Sequence, residues 1–143
     1  MNTLARNDDI RCLNSQDITR PAGHYSHICV AAGQVFISGQ LPILPDGTAL
    51  TGKSFHQQAT RTLANLDACL ACAGITRERL LQVRIYVTDI KYWPQFNDLY
   101  ASWIGDHRPA RAVASVPELH FGLDIEIEAI ALASPENAPA AAP

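Results

Sequence analysis

Arg111 and Glu126 lie on two strand-like segments near the end of the chain, PARAVASV over 109–116 and LDIEIEAIA over 123–131. Only residues 117–122 separate them. In a strand, alternate residues share a face. Arg111, Val113 and Ser115 are therefore expected on one face of their strand, and Asp124, Glu126 and Glu128 together on one face of theirs. Arg111 has no acid adjacent in sequence, and a guanidinium fork matches a carboxylate through two parallel hydrogen bonds. A glutamate beside such a site can take or return a proton, or hold a water. The pattern fits a site for a small carboxylated molecule. By spacing alone it fits better a set of charges that pair across a solvated sheet face, since such surface pairs are common and contribute little energy.

The elements that would carry these residues follow from periodicity. Residues 25–31 and 34–40 flank Ala32-Gly33 and read as a hairpin. A loop punctuated by Pro42, Pro45 and Asp46-Gly47 comes next. Ser54-Phe55-His56-Gln57 fits a capping box that opens a helix. Ala59, Leu63, Leu66, Leu70 and Ala73 form that helix's apolar stripe, and Gly74 ends it. Leu81, Val83, Ile85 and Val87 alternate with Gln82, Arg84, Tyr86 and Thr88 as a third strand. A second helix begins near Trp93, where Pro94 fits the first turn, and Trp93, Phe96, Tyr100 and Trp103 are expected to be its buried stripe.

The order is then β-β-α-β-α-β-β, an α+β domain with two helices packed on one face of a mixed sheet. The other face is expected to carry Arg84, Arg111 and the carboxylates, or apolar residues awaiting a partner. Two-layer domains of this kind often close the open face by oligomerising. Residues 1 to about 16 lack periodicity and fit an edge strand or a loose segment. Residues 1–133 form a single domain, and 134–143, rich in Ala and Pro, read as a flexible tail.

Composition narrows the function classes. The chain has 143 residues, 48% hydrophobic and 17% charged, as expected of a folded domain. Its formal net charge of −3 argues against a general nucleic-acid or membrane-surface binder. No apolar run approaches the ~20 residues that span a bilayer. Residues 1–9 lack the apolar centre of a signal peptide, so a cytoplasmic location is expected. Of four cysteines, Cys12 and Cys29 are isolated in sequence. Cys69 and Cys72 form a CxxC inside a helical pattern with no second pair to complete a metal site, and read as small apolar helix residues. The five histidines, His24, His27, His56, His107 and His120, show no ligand spacing; His24 and His120 adjoin the candidate site segments.

Six stretches, taken in order, carry a resemblance. They are GQVFISGQLP over 33–42, the helix from Gln58 to Gly74 with Asn65-Leu66, YVTD over 86–89, FNDLY over 96–100, PAR over 109–111 and IEIEAIA over 125–131. Together they resemble the reactive-intermediate deaminase family (RidA, or YjgF-like) over roughly residues 23–132. The resemblance implies a chorismate-mutase-like fold, a homotrimer with three sites in the clefts between subunits, and no metal or organic cofactor. It implies hydrolysis of short-lived enamines and imines derived from amino acids, such as 2-iminopropanoate, to a 2-oxo acid and ammonia. By resemblance, the carboxylate-binding arginine falls on Arg111 and the glutamate tied to the attacking water on Glu126. A tyrosine falls on Tyr25, the serine of the SGQ tripeptide on Ser38, and the asparagine of the second helix on Asn97.

Two positions depart from the family pattern. Val113 stands where many members have a cysteine whose backbone faces the substrate, so it too is placed at the substrate site. Arg84 stands where many have a threonine, and would favour a dicarboxylate or pair with Glu128. Asp124 and Glu128 are expected to be structural. Relatives include an aminomuconate deaminase and proteins of pyrimidine catabolism, so the side chain of the substrate is open. Two alternatives accompany the deaminase reading: an endoribonuclease or translation inhibitor, for which the chain lacks a Lys/Arg stripe, and a non-catalytic binder of small carboxylates, which would need Arg111 but not Glu126 as a base.

Overall fold

In the computed structural model, residues 9–135 are described. Most of the expected tail, from residue 136 onward, and residues 1–8 lie outside that range. The strands are β1 (Arg11–Leu13), β2 (Ile28–Ala31), β3 (Gln34–Gln40), β4 (Leu80–Val87), β5 (Ala110–Ser115) and β6 (Ile125–Leu132), and the helices are α1 (Phe55–Cys72) and α2 (Trp93–Ile104). The expected order is present with one addition: the N-terminal segment supplies a short edge strand, β1. The six strands form one sheet in the order β1-β2-β3-β6-β4-β5. Only the β4–β5 pair is parallel, so the sheet is mixed.

Local sequence explains these elements. The β2–β3 turn puts Ala32 at φ 51° and Gly33 at φ 75°, two successive left-handed residues that match the twist of a two-residue hairpin. Strand β2 begins three residues later than the apolar pattern suggests, because the His27 backbone N–H is taken by Asn14 Oδ1 at 3.0 Å. At the start of α1, Ser54 Oγ accepts the Gln57 N–H while the Gln57 side chain accepts the Ser54 N–H. At its end, Ile75 N–H reaches Leu70 O at 3.0 Å and Gly74 N–H reaches Ala71 O at 2.9 Å, with Gly74 at φ 72°, a Schellman closure.

The core lies between the helices and one sheet face. Ala59, Leu63, Leu66 and Leu70 of α1 meet Val35 and Ile37 of β3, Val83, Ile85 and Val87 of β4, and Ile125 and Ile127 of β6. Each such large aliphatic side chain contributes about 1.5–3 kcal/mol when fully buried. Cys69 is packed in this core, where burial and the neighbouring Cys72 push its thiol up to about 12; it behaves as a small apolar group. Along α2 the buried residues are Phe96, Tyr100 and Ile104. The expected stripe is corrected at both tryptophans. Trp93 is 38% exposed, and Trp103 only partly buried, its indole N–H donating to Asp67 Oδ2 at 3.0 Å.

A second correction concerns the sheet's faces. In the parallel β4–β5 pair, Arg111 is in register with Val83 and Val113 with Ile85. Paired residues share a face, so Arg111 and Val113 lie on the helix-covered side, not the open one. The open face carries Arg84, Tyr86, Glu126 and Glu128, together with Phe36 and the small side chains of Ala110, Ala112 and Ala114. Asp124 leaves the expected row of three carboxylates. It precedes β6, and its carboxylate accepts from Gln58 of α1 at 3.1 Å and from Thr88 at 2.8 Å.

Candidate active site

The candidate residues fall into two groups on two faces. The first is built on Arg111 at the outer strand β5. Its Nη1 donates to Asn97 Oδ1 at 3.0 Å. The guanidinium carbon lies 5.0 Å from the centre of the Tyr100 ring and 5.9 Å from that of Trp93. Trp93, Asn97 and Tyr100 follow one another at i, i+4 and i+7, so a single face of α2 wraps the arginine. Cation–π contacts and one hydrogen bond hold the guanidinium against that face. No carboxylate among the described residues lies within ion-pair distance of it, so its charge is available to a ligand. Val113 lies two residues along β5 on the same face and packs against the core.

The second group surrounds Glu126. Between Ile37 and Gln40 the β3–β6 register slips, and Ser38-Gly39 form a bulge opposite β6. The Glu126 side chain occupies the space where a side chain at position 39 would begin: a Cβ built on Gly39 would stand 2.7 Å from Glu126 Oε2 and 2.9 Å from Cδ. Glycine is required there for the glutamate to lie across the bulge. Burial raises the Glu126 pKa above the usual glutamate value; nearby His120 offsets part of the rise and Glu128 adds to it. Ser38 Oγ donates to Ser26 O at 2.6 Å, which ties the bulge to the approach to β2. Tyr25 is 49% exposed and shares one hollow with Ser38 and another with Gly39. Its hydroxyl accepts the Ala22 N–H at 3.3 Å.

The remaining charges on the open face are satisfied. Glu128 accepts from Tyr86 Oη at 2.6 Å and lies 3.6 Å from Arg84 Nη1. Arg84 also donates to Gln82 Oε1. Arg84 pairs with Glu128, and Asp124 and Glu128 each have side-chain partners within the chain. Among the described residues no group of three or more His, Cys, Asp and Glu side chains is arranged to hold a metal ion.

Reading along the sequence missed three features. Trp93 and Tyr100 are walls of the Arg111 site, and their spacing around Asn97 was the available signal. Gly39 seats Glu126. Cys12 and Cys29, far apart in sequence, are brought into contact across β1 and β2.

The same arrangement of strands and helices recurs in known proteins. The family model described as Endoribonuclease L-PSP matches residues 16–133. The chain belongs to the RidA/YjgF/L-PSP family. A RutC family protein of Aquifex aeolicus is 38% identical over 114 residues, covering 78% of this chain and 90% of that protein. Protein HMF1 of Saccharomyces cerevisiae is 34% identical over 110 residues, covering 77% and 84% respectively. Among solved structures of the family, E. coli TdcF with bound serine superposes with a TM-score of 0.80 at 26% identity, covering 87% of this chain and 99% of TdcF. RidA from the Antarctic bacterium Psychrobacter sp. PAMC 21119 gives 0.81 at 26% identity, covering 85% and 98%. No helix among the described residues is long and apolar enough to cross a membrane. RidA/YjgF/L-PSP membership does not fix a compartment, since yeast MMF1, 32% identical over 111 residues, is mitochondrial.

Proposed function

We propose that this protein is a hydrolytic deaminase of reactive imines and enamines derived from amino acids, working as a homotrimer whose sites are shared between subunits. One observation carries the reading. The carboxylate anchor, Arg111 with Asn97, and the proton handler, Glu126 with Ser38 and Tyr25, lie on opposite faces of one sheet. A single chain does not bring them together, but Arg111 on an outer strand can approach the Glu126 side of a second copy's sheet. A closed ring joins the two halves once per interface. The half-exposed Phe36 and the alanine row of β5 suit that packing.

The chemistry follows from the residue types. Arg111 takes the carboxylate of a 2-imino acid through its fork and leaves the C=N carbon facing the Glu126 side. An enamine would first gain a proton at its β-carbon. Water attacks the C=N carbon, and Glu126 accepts its proton. The proton returns to nitrogen, and as the C–N bond breaks the carbinolamine hydroxyl gives its proton back to the Glu126 carboxylate, releasing ammonia and the 2-oxo acid. Holding the imine beside a placed water replaces a chance encounter with a local one, and burial of Glu126 makes it a better proton acceptor than an exposed glutamate. Serine bound to TdcF supports a small amino-acid-like carboxylate as the ligand class.

Two measurements test this. Imino acids generated by an amino-acid oxidase, over a panel of side chains, are passed to the protein and release of 2-oxo acid is followed. Acceleration for at least one side chain is expected, and none for any would overturn the activity. Arg111→Ala and Glu126→Gln chains, each strongly impaired, are then refolded together, and activity is compared with that of each variant alone. Random closed trimers recover about a quarter of wild-type sites if each site uses two chains. No recovery would overturn the shared site.

A further inference from the structure

Cys12 and Cys29 face each other directly in the antiparallel β1–β2 pair, with their sulfurs 2.8 Å apart. We propose that these two thiols form a reversible intrachain disulfide that fastens the edge strand β1 to the sheet. Directly opposed residues in an antiparallel pair have Cα atoms about 4.5–5.5 Å apart, inside the 4.4–6.8 Å range that a disulfide spans without moving the backbone. The sulfurs are already closer than ordinary non-bonded contact. The other pair, Cys69 and Cys72, differs: Cys69 is fully buried within α1 and its thiol is strongly disfavoured from ionising.

Exposure sets the order of events. Cys12 is exposed, whereas Cys29 is partly buried, and the hydrogen bond shared with Cys12, followed by burial, raises the Cys29 thiol pKa. The Cys12 thiolate attacks one sulfur of a small disulfide such as oxidised glutathione and releases one glutathione thiolate. Cys29 gives its proton to solvent and attacks Cys12 Sγ, which expels the second glutathione thiolate. Two protein thiols are oxidised, one small disulfide is reduced to two thiols, and excess reduced thiol reverses both steps.

The bond matters because of what β1 otherwise has to hold it. The strand is three residues long, and all three are exposed. The bridge would close a 17-residue separation that includes the loop over 14–24. Cys12 and Cys29 also line the hollow that contains Tyr25 and Ser38. Oxidation therefore fixes one wall of that hollow whatever the hollow binds.

The test uses the full chain in a series of oxidised and reduced glutathione mixtures. Remaining thiols are alkylated after denaturation, and the digest is read by mass spectrometry. Cys12 and Cys29 should lose alkylation together, in a linked peptide that dithiothreitol removes, while Cys69 and Cys72 stay alkylated. Oxidised wild type should unfold about 10 °C above reduced wild type, and β1 amide exchange should slow at least tenfold. Cys12→Ser and Cys29→Ser should each show neither change. Independent alkylation of Cys12 and Cys29 throughout the series, or a linkage found only between chains, would overturn the proposal.

Discussion

Arg111 and Glu126 project from opposite faces of one sheet. Arg111 is in register with Val83, which is buried beneath the helices, and Glu126 with Tyr86 on the uncovered side. The two groups that the proposed reaction needs together are therefore held apart within a chain: Arg111 against α2, and Glu126 over Gly39. That separation allows each half to be tested by itself.

On the anchor side, Arg111→Ala is expected to lower kcat/KM by about 10- to 150-fold, the loss of a charge-assisted pair worth about 1.5–3 kcal/mol. The fold should survive, because Arg111 meets α2 through one hydrogen bond and ring contacts and not through the core. Arg111→Lys should also be poor, since an ammonium does not form the fork. Asn97→Ala should raise KM more than it lowers kcat. Steady-state kinetics with an imino acid, paired with light scattering, checks all three; wild-type turnover in Arg111→Ala would remove the anchor assignment.

This anchor also shows what the sequence revealed and what it hid. Strands β4 and β6 were legible because apolar and polar residues alternate in them, and α1 was legible down to its Ser54–Gln57 cap. Strand β5 was legible as a strand but not as a face. Its alternate residues are Arg111, Val113 and Ser115 against three alanines, so hydrophobicity barely separates the two sides. Pairing with β4 decides the face, and that is tertiary information. Trp93 departs from the stripe for a related reason: the apolar pattern marks a helix stripe but does not say that its first turn lies beside Arg111 at the outer strand. The Cys12–Cys29 contact was hidden because a three-residue strand carries no readable period.

Gly39→Ala is expected to act on Glu126 alone. Position 39 does not have a positive φ, so alanine meets no backbone obstacle, but its Cβ would fall 2.7 Å from Glu126 Oε2. The carboxylate must swing away, and kcat should fall about tenfold or more. The denaturation midpoint should change much less than the rate. Glu126→Asp in the Gly39→Ala background should cost far less than Glu126→Asp alone, because the shorter acid clears the new methyl group. Additive losses in that double-mutant cycle would count against a direct clash.

His27 supplies a pH dependence of stability. It is buried, its Nδ1 accepts the Ser15 N–H at 3.0 Å, and its Nε2–H donates to Thr19 O at 3.0 Å. The Ser15 bond requires an unprotonated Nδ1, and burial lowers the ring's pKa below the ordinary value of 6.5, an effect the Thr19 bond only partly offsets. The unfolded chain thus binds the proton more readily than the folded one. Its contribution is fully present above about pH 6.5 and is lost as pH falls from there toward the folded pKa. Urea midpoints measured between pH 8 and pH 5 should decline more steeply for wild type than for His27→Gln. Parallel curves would show that the ring does not titrate with folding.

Glu126→Gln separates the proton handler from a merely structural side chain. The amide occupies the same space over Gly39 but cannot accept a proton. If Glu126 serves as the base, binding of a 2-oxo acid should be retained while the saturated hydrolysis rate falls about 10²–10⁴-fold. The wild-type rate should also carry an acid limb. Burial raises the Glu126 pKa above its ordinary 4.5, so activity should fall as pH drops through a midpoint above that value, where the carboxylate becomes protonated. Glu126→Gln should lose that limb along with most of the rate. A rate within about threefold of wild type, with the limb intact, would assign the proton transfer to Tyr25 or to water and leave Glu126 as a filler of the space above Gly39.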